Sequence, residues 1–238
     1  MNAERAEIWW LDVDAVAAEH WPALEALLEE SERQRAARFH FERDRLTYVA
    51  AHALGRRLLS HWAGGVPQDW RFSVGDHGKP EVLCPEGAPA LRLNLSHTRG
   101  LAAAALTVDN DIGIDVEWLG RHTDCLGLGQ RFFAASECEL LRAAPAERLV
   151  ETFLALWTLK EAYVKAIGKG LAQPLDSFSF TPEPPAISFA DPTADDPARW
   201  LFRQVRPTGR HLLALALRHP RPRAVEVSLG RRRAADLL

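Results

Sequence analysis

The order in which helical and extended segments alternate is the feature that most constrains the fold of this chain. Helical segments are followed by a short strand, a polar excursion and a set of strands, and the same order returns in the second half. The apolar runs Leu101–Val108 and Leu212–Leu217 are similar, and each precedes a turn and another strand. Repeated units of this kind bury their apolar faces against each other. The sequence therefore predicts an α+β pseudo-dimer of two similar subdomains, residues 1–109 and 110–238, with a site between them.

Hydrophobic periodicity places the individual elements. Apolar residues at helical spacing predict helical segments over 21–60 and 137–165. The final residues, 231–238, are expected to form a tail. Alternating or continuous apolar runs predict strands at Ile8–Val13, Trp70–Val74, Leu91–Leu95, Leu101–Val108, Ile112–Trp118, Phe178–Phe180, Trp200–Val205, His211–Leu217 and Val225–Leu229.

The composition argues against several classes of protein. An apolar content of 47 % is too high for a disordered chain, and a net charge of −3 gives no reason to expect a nucleic-acid partner. Three cysteines without metal-binding spacing, Cys84, Cys125 and Cys138, suit a reducing compartment. The sequence shows neither a signal peptide nor an apolar run of about 20 residues. We therefore expect a cytoplasmic protein without a membrane partner.

Lysine is unusually concentrated. Only four of the 29 basic residues are lysine, and they lie in two short stretches. Because the lysine ammonium is a compact, flexible charge that suits phosphate oxygens, this distribution indicates phosphate binding. The alternative is chance clustering. The four residues are Lys79, Lys160, Lys165 and Lys169.

Two carboxylates stand close together on a predicted strand. Asp115 and Glu117 are two residues apart, so both side chains point to one face about 7 Å from each other. Ile114 and Val116 then point to the opposite face, towards the core. Two adjacent carboxylates repel unless a cation lies between them, and hard oxygen ligands favour Mg²⁺ or Mn²⁺. A solvated strand edge is the alternative for such a pair alone.

A third carboxylate and a lysine share one face of a predicted helix. Glu161 and Lys165 are four residues apart, which also suits a plain surface ion pair. Lys169, flanked by Gly168 and Gly170, follows one turn later and could fold around an anion. Glu161 would complete an acidic metal site with Asp115 and Glu117.

The pair Ser96-His97 follows a predicted strand. Adjacent residues rarely align as a nucleophile and its base, and no G-x-S-x-G elbow is present. Phosphate binding by His97, helped by Ser96, is the simpler interpretation, although a lone histidine is often structural. The sequence also lacks P-loop and Rossmann glycine motifs, which argues against those nucleotide-binding folds.

Five short motifs, taken together and in this order, resemble the signature of the surfactin-type 4′-phosphopantetheinyl transferases, the two-half monomeric group. The resemblance covers roughly residues 32–180. The motifs are Gly78-Lys-Pro80, Asn94-Leu-Ser-His97, Gly113-Ile-Asp-Val-Glu117, Phe132-Phe133, and Trp157 to Lys165 with Gly168-Lys-Gly170.

The resemblance implies a fold of two similar α/β halves and a particular reaction. The phosphopantetheine arm of coenzyme A, the co-substrate, is transferred to a serine of an apo acyl or peptidyl carrier protein. Adenosine 3′,5′-bisphosphate is released, and Mg²⁺ or Mn²⁺ is required. The resemblance also implies a monomer.

The resemblance further implies roles for individual residues. Asp115, Glu117 and Glu161 resemble the metal ligands, and Lys165 resembles the lysine that contacts the pyrophosphate. Glu161, or Glu117 through a water molecule, would accept the serine proton. The remaining correspondences concern the cofactor and the carrier: Ser96 and His97 with phosphate, Gly78, Lys79 and Pro80 with the adenosine end, Arg35 with the 3′-phosphate, and Phe132 and Phe133 with the carrier.

One departure and three alternatives accompany this hypothesis. A family lysine falls at Glu32, so the 3′-phosphate would depend on Arg35 and Arg38. Phe132 and Phe133 could equally be a core pair. A hydrolase acting on coenzyme A or nucleotide pyrophosphates is a second candidate function, and a non-catalytic protein that binds coenzyme A or docks a carrier is a third.

Overall fold

A computed structural model of the chain describes residues 4–74 and 80–238. Two β-sheets lie face to face, and the outer face of each sheet carries one long helix. The resulting stack of helix, sheet, sheet and helix confirms the predicted α+β pseudo-dimer. None of the described helices is both long and apolar enough to cross a membrane.

The elements have the following bounds in chain order. The helices are α1 (Trp21–Glu25), α2 (Glu30–Ala36), α3 (Glu42–Ala63), α4 (Cys125–Phe132), α5 (Ala135–Ala143) and α6 (Leu149–Ile167). The strands are β1 (Arg5–Asp12), β2 (Phe72–Val74), β3 (Pro80–Val82), β4 (Leu91–Thr98), β5 (Leu101–Val108), β6 (Ile112–Trp118), β7 (Phe178–Pro182), β8 (Pro185–Phe189), β9 (Trp200–Thr208), β10 (His211–Arg218) and β11 (Glu226–Arg232).

The two central sheets have related strand orders. The first sheet has the order β11–β1–β5–β4, in which only the β1–β11 pair is parallel. The second sheet has the order β6–β10–β9 and is antiparallel. The hairpins β2–β3 and β7–β8 form two further small sheets. Strands β4 and β6 are therefore both edge strands, which matters for the site.

The two-residue period of a strand explains the buried runs β5 and β10. Even-numbered residues of β5 pack under α3, whereas odd-numbered residues pack against the second sheet. Strand β10 divides its side chains in the same way between α6 and the first sheet. Both strands are covered on two faces, so their apolar residues are continuous rather than alternating.

The predicted helical segments are interrupted in the structure. Residues 21–60 form three helices, because α2 starts at a reciprocal cap in which the Glu29 N–H donates to the Glu32 carboxylate at 3.1 Å. Helix α3 then begins after the extended residue Phe41. The segment 137–165 is divided before Pro145, which cannot donate a helical hydrogen bond.

The prediction of a C-terminal tail over 231–238 is wrong. Strand β11 runs to Arg232 beside β1, and Leu237 is fully buried in the core under α3. Pairing between the first and last strands is a contact of very long sequence separation, which local periodicity does not reveal. Because β11 belongs to the second half of the chain, that half contributes a strand to the first sheet. The division at residue 109 stays a prediction.

Candidate active site

Strand β6 and helix α6 approach each other closely at Gly113. A Cβ atom at this position would lie 2.0 Å from the Ala162 carbonyl oxygen and 2.5 Å from the Ala166 nitrogen. Only glycine permits this approach. Side chains of the helix at 161 and 165 therefore stand next to Asp115, two residues further along the strand.

A hydrogen-bonded network joins α6, β6 and β4. Lys165 Nζ lies 2.6 Å from Asp115 Oδ1 and 3.1 Å from Ser96 Oγ. The Ser96 hydroxyl donates to the same Asp115 oxygen at 3.1 Å and accepts the Val116 N–H at 3.2 Å. Ser96 and Asp115 are both buried. We call these three side chains the Lys–Asp–Ser network, and it brings together three of the predicted site residues.

Two glutamates adjoin this network and respond to its charge. Glu117 pairs with Arg121 at 2.9 Å. Burial, followed by repulsion from Asp115, raises the pKa of Glu117 despite the opposing effect of Arg121. Burial and repulsion from Asp115 also raise the pKa of Glu161, against the attraction of Lys165. The three carboxylates are therefore electrostatically coupled.

The donor chemistry of these carboxylates fits a divalent cation. All three offer hard oxygen ligands, and Asp115 Oδ2 is buried without a hydrogen-bond partner. Within the two described ranges, however, no three His, Cys, Asp or Glu side chains converge closely enough to hold an ion. Lys165 instead neutralises Asp115 through its other oxygen. A metal site of Asp115, Glu117 and Glu161 thus remains a prediction.

A cavity of about 1000 Å³ lies on the first-half side of the network. His97 enters it from β4, and Arg35 enters it from α2, where its guanidinium lies 5.8 Å from the centre of the Tyr48 ring. Desolvation, then repulsion from His52 and Lys165, lowers the pKa of His97. The residues that line the cavity include Glu32, Arg35, Arg38, Tyr48, His52, Pro80, Leu95 and His97.

The alternation of β4 separates Ser96 from His97. Leu95 and His97 line the cavity, whereas Asn94 and Ser96 point to the opposite face and contact β6. The structure therefore does not bring Ser96 and His97 together as a phosphate-binding pair of side chains. Ser96 instead holds Asp115 and Lys165, and His97 alone faces the cavity.

Glu32, at the position where the resemblance implies a lysine, is built into the cavity wall. Its carboxylate lies 2.7 Å from His52 Nδ1 and 2.6 Å from Arg56 Nε. Burial acts to raise the pKa of Glu32, but these two hydrogen bonds, together with charge attraction from His52 and Arg56, outweigh it, and the pKa is lowered. Tyr48, His52 and Arg56 were not among the predicted site residues. Their spacing of four residues on α3 places them on one face, and this was the available signal.

The other predicted cofactor residues are only partly described. Pro80 lines the cavity at the start of β3. Gly78 and Lys79 lie outside the described residues. Arg35 and Arg38 are exposed at the cavity wall, as an anion-binding role requires.

Phe133 belongs to the core of the second half. It is buried and stacks on Phe153 with ring centres 5.2 Å apart, and Trp157 packs beside both rings. The core alternative is therefore correct for Phe133, which cannot contact a carrier in this position. Phe132 is partly buried against the same core.

The fold and site define a class: a two-half α+β protein with a Lys–Asp–Ser network where β4 of the first sheet meets β6 of the second, and beside it a cavity lined by arginine side chains. Comparison with known families agrees with this architecture. Residues 15–108 match the model described as "4′-phosphopantetheinyl transferase, N-terminal", and residues 111–216 match the "4′-phosphopantetheinyl transferase superfamily".

Individual relatives place the chain in the same family. It is 34 % identical over 185 residues to the 4′-phosphopantetheinyl transferase HetI of a Nostoc species, covering 77 % of this chain and 78 % of HetI. It is 30 % identical to the 4′-phosphopantetheinyl transferase ffp of Bacillus subtilis, covering 69 % and 70 %. The human L-aminoadipate-semialdehyde dehydrogenase-phosphopantetheinyl transferase is 26 % identical over 81 % of this chain and 68 % of its own length. The chain belongs to the 4′-phosphopantetheinyl transferase superfamily.

Proposed function

We propose that this protein transfers the 4′-phosphopantetheine group of coenzyme A to a serine of an apo acyl or peptidyl carrier protein. The family supports the reaction. The observation that supports the position of the active site is the Lys–Asp–Ser network where the two halves meet, beside a cavity lined by His97 and Arg35. Adenosine 3′,5′-bisphosphate is the second product.

In this proposal the cavity binds the nucleotide end of coenzyme A. Arg35 and Arg38 provide positive charge for the 3′-phosphate, and His97 faces the pyrophosphate from β4. Pro80 lies against the adenosine, with Gly78 and Lys79 preceding it in the chain. The pyrophosphate would then lie between His97 and Lys165, because both are near the edge where β4 meets β6.

The proposed reaction breaks one phosphorus–oxygen bond and makes another. The carrier serine oxygen attacks the phosphorus that bears the pantetheine, and the oxygen bridging the two phosphates leaves with adenosine 3′,5′-bisphosphate. Positioning and charge neutralisation account for most of the catalysis in such transfers. Lys165 would stabilise the negative charge that develops on the leaving oxygen.

The three coupled carboxylates supply the remaining roles. Asp115, Glu117 and Glu161 would hold Mg²⁺ or Mn²⁺, which supplies Lewis acidity and orients phosphate oxygens. Glu161, or Glu117 through a water molecule, would accept the serine proton.

The proposal extends to the setting of the reaction. We propose that the protein acts as a monomer in the cytoplasm, with coenzyme A and an apo carrier as its partners and without a nucleic-acid or membrane partner. The carrier belongs to a fatty-acid, polyketide or peptide synthase. Gel filtration with light scattering tests the monomer, and a dimer mass at working concentration would contradict it.

Weighing the carrier tests the function. The protein is incubated with coenzyme A, Mg²⁺ and several apo carriers, and each carrier is then measured by mass spectrometry. We expect a mass gain of one phosphopantetheine group, lost in Asp115→Ala and Glu161→Ala and retained in Glu147→Ala, which changes an exposed glutamate just before α6. Release of the bisphosphate without a mass gain would favour the hydrolase. Formation of neither the bisphosphate nor a modified carrier would favour the non-catalytic binder.

A further inference from the structure

The two sheets meet at a joint between edge strands that do not pair through their backbones. Strand β4 ends the first sheet and β6 begins the second, and among the described strands each pairs only with its own sheet neighbour, β5 or β10. Buried backbone N–H groups at such an edge need acceptors, since an unmade hydrogen bond is costly in the interior. The acceptors here come from side chains.

Two side chains of β4 supply them at regular spacing. Asn94 Oδ1 accepts the Ile114 N–H at 2.8 Å, and Ser96 Oγ accepts the Val116 N–H at 3.2 Å. The same offset of 20 residues applies to both bonds. Asn94 and Ser96 are buried and lie on one face of β4, since they are two residues apart. Together they form a two-rung side-chain ladder across the joint.

The ladder brackets Asp115. Its two rungs hold the amide groups of the residues directly before and after Asp115, which is itself buried and bonded to Lys165 at 2.6 Å. Ser96 also bonds Asp115 directly, so its loss would change several contacts at once. Among the described residues, Asn94 bonds the Ile114 N–H and neither Asp115 nor Lys165, so it acts on these two side chains through the strand. A substitution of Asn94 therefore changes the position of Asp115 without removing a direct contact to Asp115.

We propose that Asn94 is a positioning residue, which holds β6 in register against β4 so that Asp115 meets Lys165 and the substrate in the reactive geometry. This inference rests on the proposed transfer function. Displacements of about 1 Å in a reactive arrangement can lower rates about 100-fold. Asn94 does not line the cavity, so the proposed contacts of the adenosine end and the 3′-phosphate stay outside its influence.

The first test compares kinetics in three variants. Asn94→Leu removes the acceptor while keeping similar bulk, and we expect kcat for carrier modification to fall at least about tenfold with KM for coenzyme A changed less than about twofold. Asn94→Ser restores a hydroxyl like that of Ser96 and should recover much of kcat. Thr107→Val is the matched control, because the buried Thr107 hydroxyl donates to the Arg5 carbonyl within the first sheet, away from the joint.

The second test follows the joint without using activity. Amide hydrogen exchange, measured on each full-length variant below its unfolding temperature, should show lost protection at the Ile114 amide in Asn94→Leu and normal protection there in Thr107→Val. A near-normal kcat in Asn94→Leu, or an equal fall of kcat in both variants, would overturn the inference. If the wild type modifies no carrier while the exchange result holds, the proposed function fails and the placement of β6 by Asn94 stands.

Discussion

The close approach of β6 and α6 at Gly113 makes a single methyl group a sensitive probe of the site. In Gly113→Ala the new Cβ would lie 2.0 Å from the Ala162 oxygen, whereas side-chain carbons keep about 3.0 Å from such atoms. Both obstructing groups belong to backbone, which cannot rotate away. The strand and the helix must therefore separate by about 1 Å.

This separation acts on both stability and catalysis. A 1 Å shift lengthens the Lys165–Asp115 contact from 2.6 Å to about 3.6 Å, beyond hydrogen-bond length. Overpacking of this kind costs about 1–3 kcal/mol of unfolding free energy. Misplacement of reactive groups by about 1 Å can lower kcat about 100-fold. We therefore expect Gly113→Ala to be folded, less stable and nearly inactive.

Urea unfolding and the carrier-mass assay measure the two effects. Gly209→Ala is the matched control, because a Cβ at Gly209 meets no atom within 4 Å. The control should keep wild-type stability and turnover. If Gly113→Ala matched it in both measurements, the helix and strand would not be in the tight contact described here, and the placement of Lys165 against Asp115 would need revision.

Three further predictions concern charged side chains. The buried Lys160 ammonium lies 2.7 Å from Glu137, so Lys160→Met should lower the unfolding free energy measured in urea by about 3–5 kcal/mol, because it leaves a buried carboxylate unpaired. The double variant Lys160→Met/Glu137→Gln should recover part of that loss, and an unchanged urea midpoint in Lys160→Met would contradict the pairing. Because the pKa of Glu32 is lowered in the folded state, the ionised carboxylate stabilises the fold fully above the ordinary value of 4.5, and this stabilisation is lost as the pH falls through the folded-state pKa. The unfolding free energy of the wild type should therefore fall more steeply during acid titration than that of Glu32→Gln, and parallel curves would refute this. Arg35→Gln should raise KM for coenzyme A about fivefold, equivalent to about 1 kcal/mol, and weaken the salt dependence of this KM with little change in kcat. An unchanged KM would show that Arg35 does not bind the phosphate.

Local periodicity was sufficient to predict much of the site. The alternation around Asp115 and Glu117 places both carboxylates on one face of β6, with Ile114 and Val116 in the core between the sheets. Because a strand has a period of two, neighbours along the chain determine such faces without knowledge of the fold.

Other features of the site depended on packing between distant segments. The same period of two placed Ser96 and His97 on opposite faces, but the sequence did not show that one face meets β6 and the other a cavity. Burial of Glu137 with Lys160 likewise depends on how α5 and α6 pack. Side-chain environment is a property of the assembled layers.

The sequence by itself determined the family motifs, the order of the two halves and the faces of the individual elements. The tertiary structure alone decided that β11 joins β1, that α6 reaches β6 at Gly113, and that side chains rather than backbone groups join β4 to β6. The physical reason is distance along the chain. Faces follow from bonds between neighbouring residues, whereas partners follow from which buried surfaces and unpaired backbone groups meet once the chain has closed over many residues.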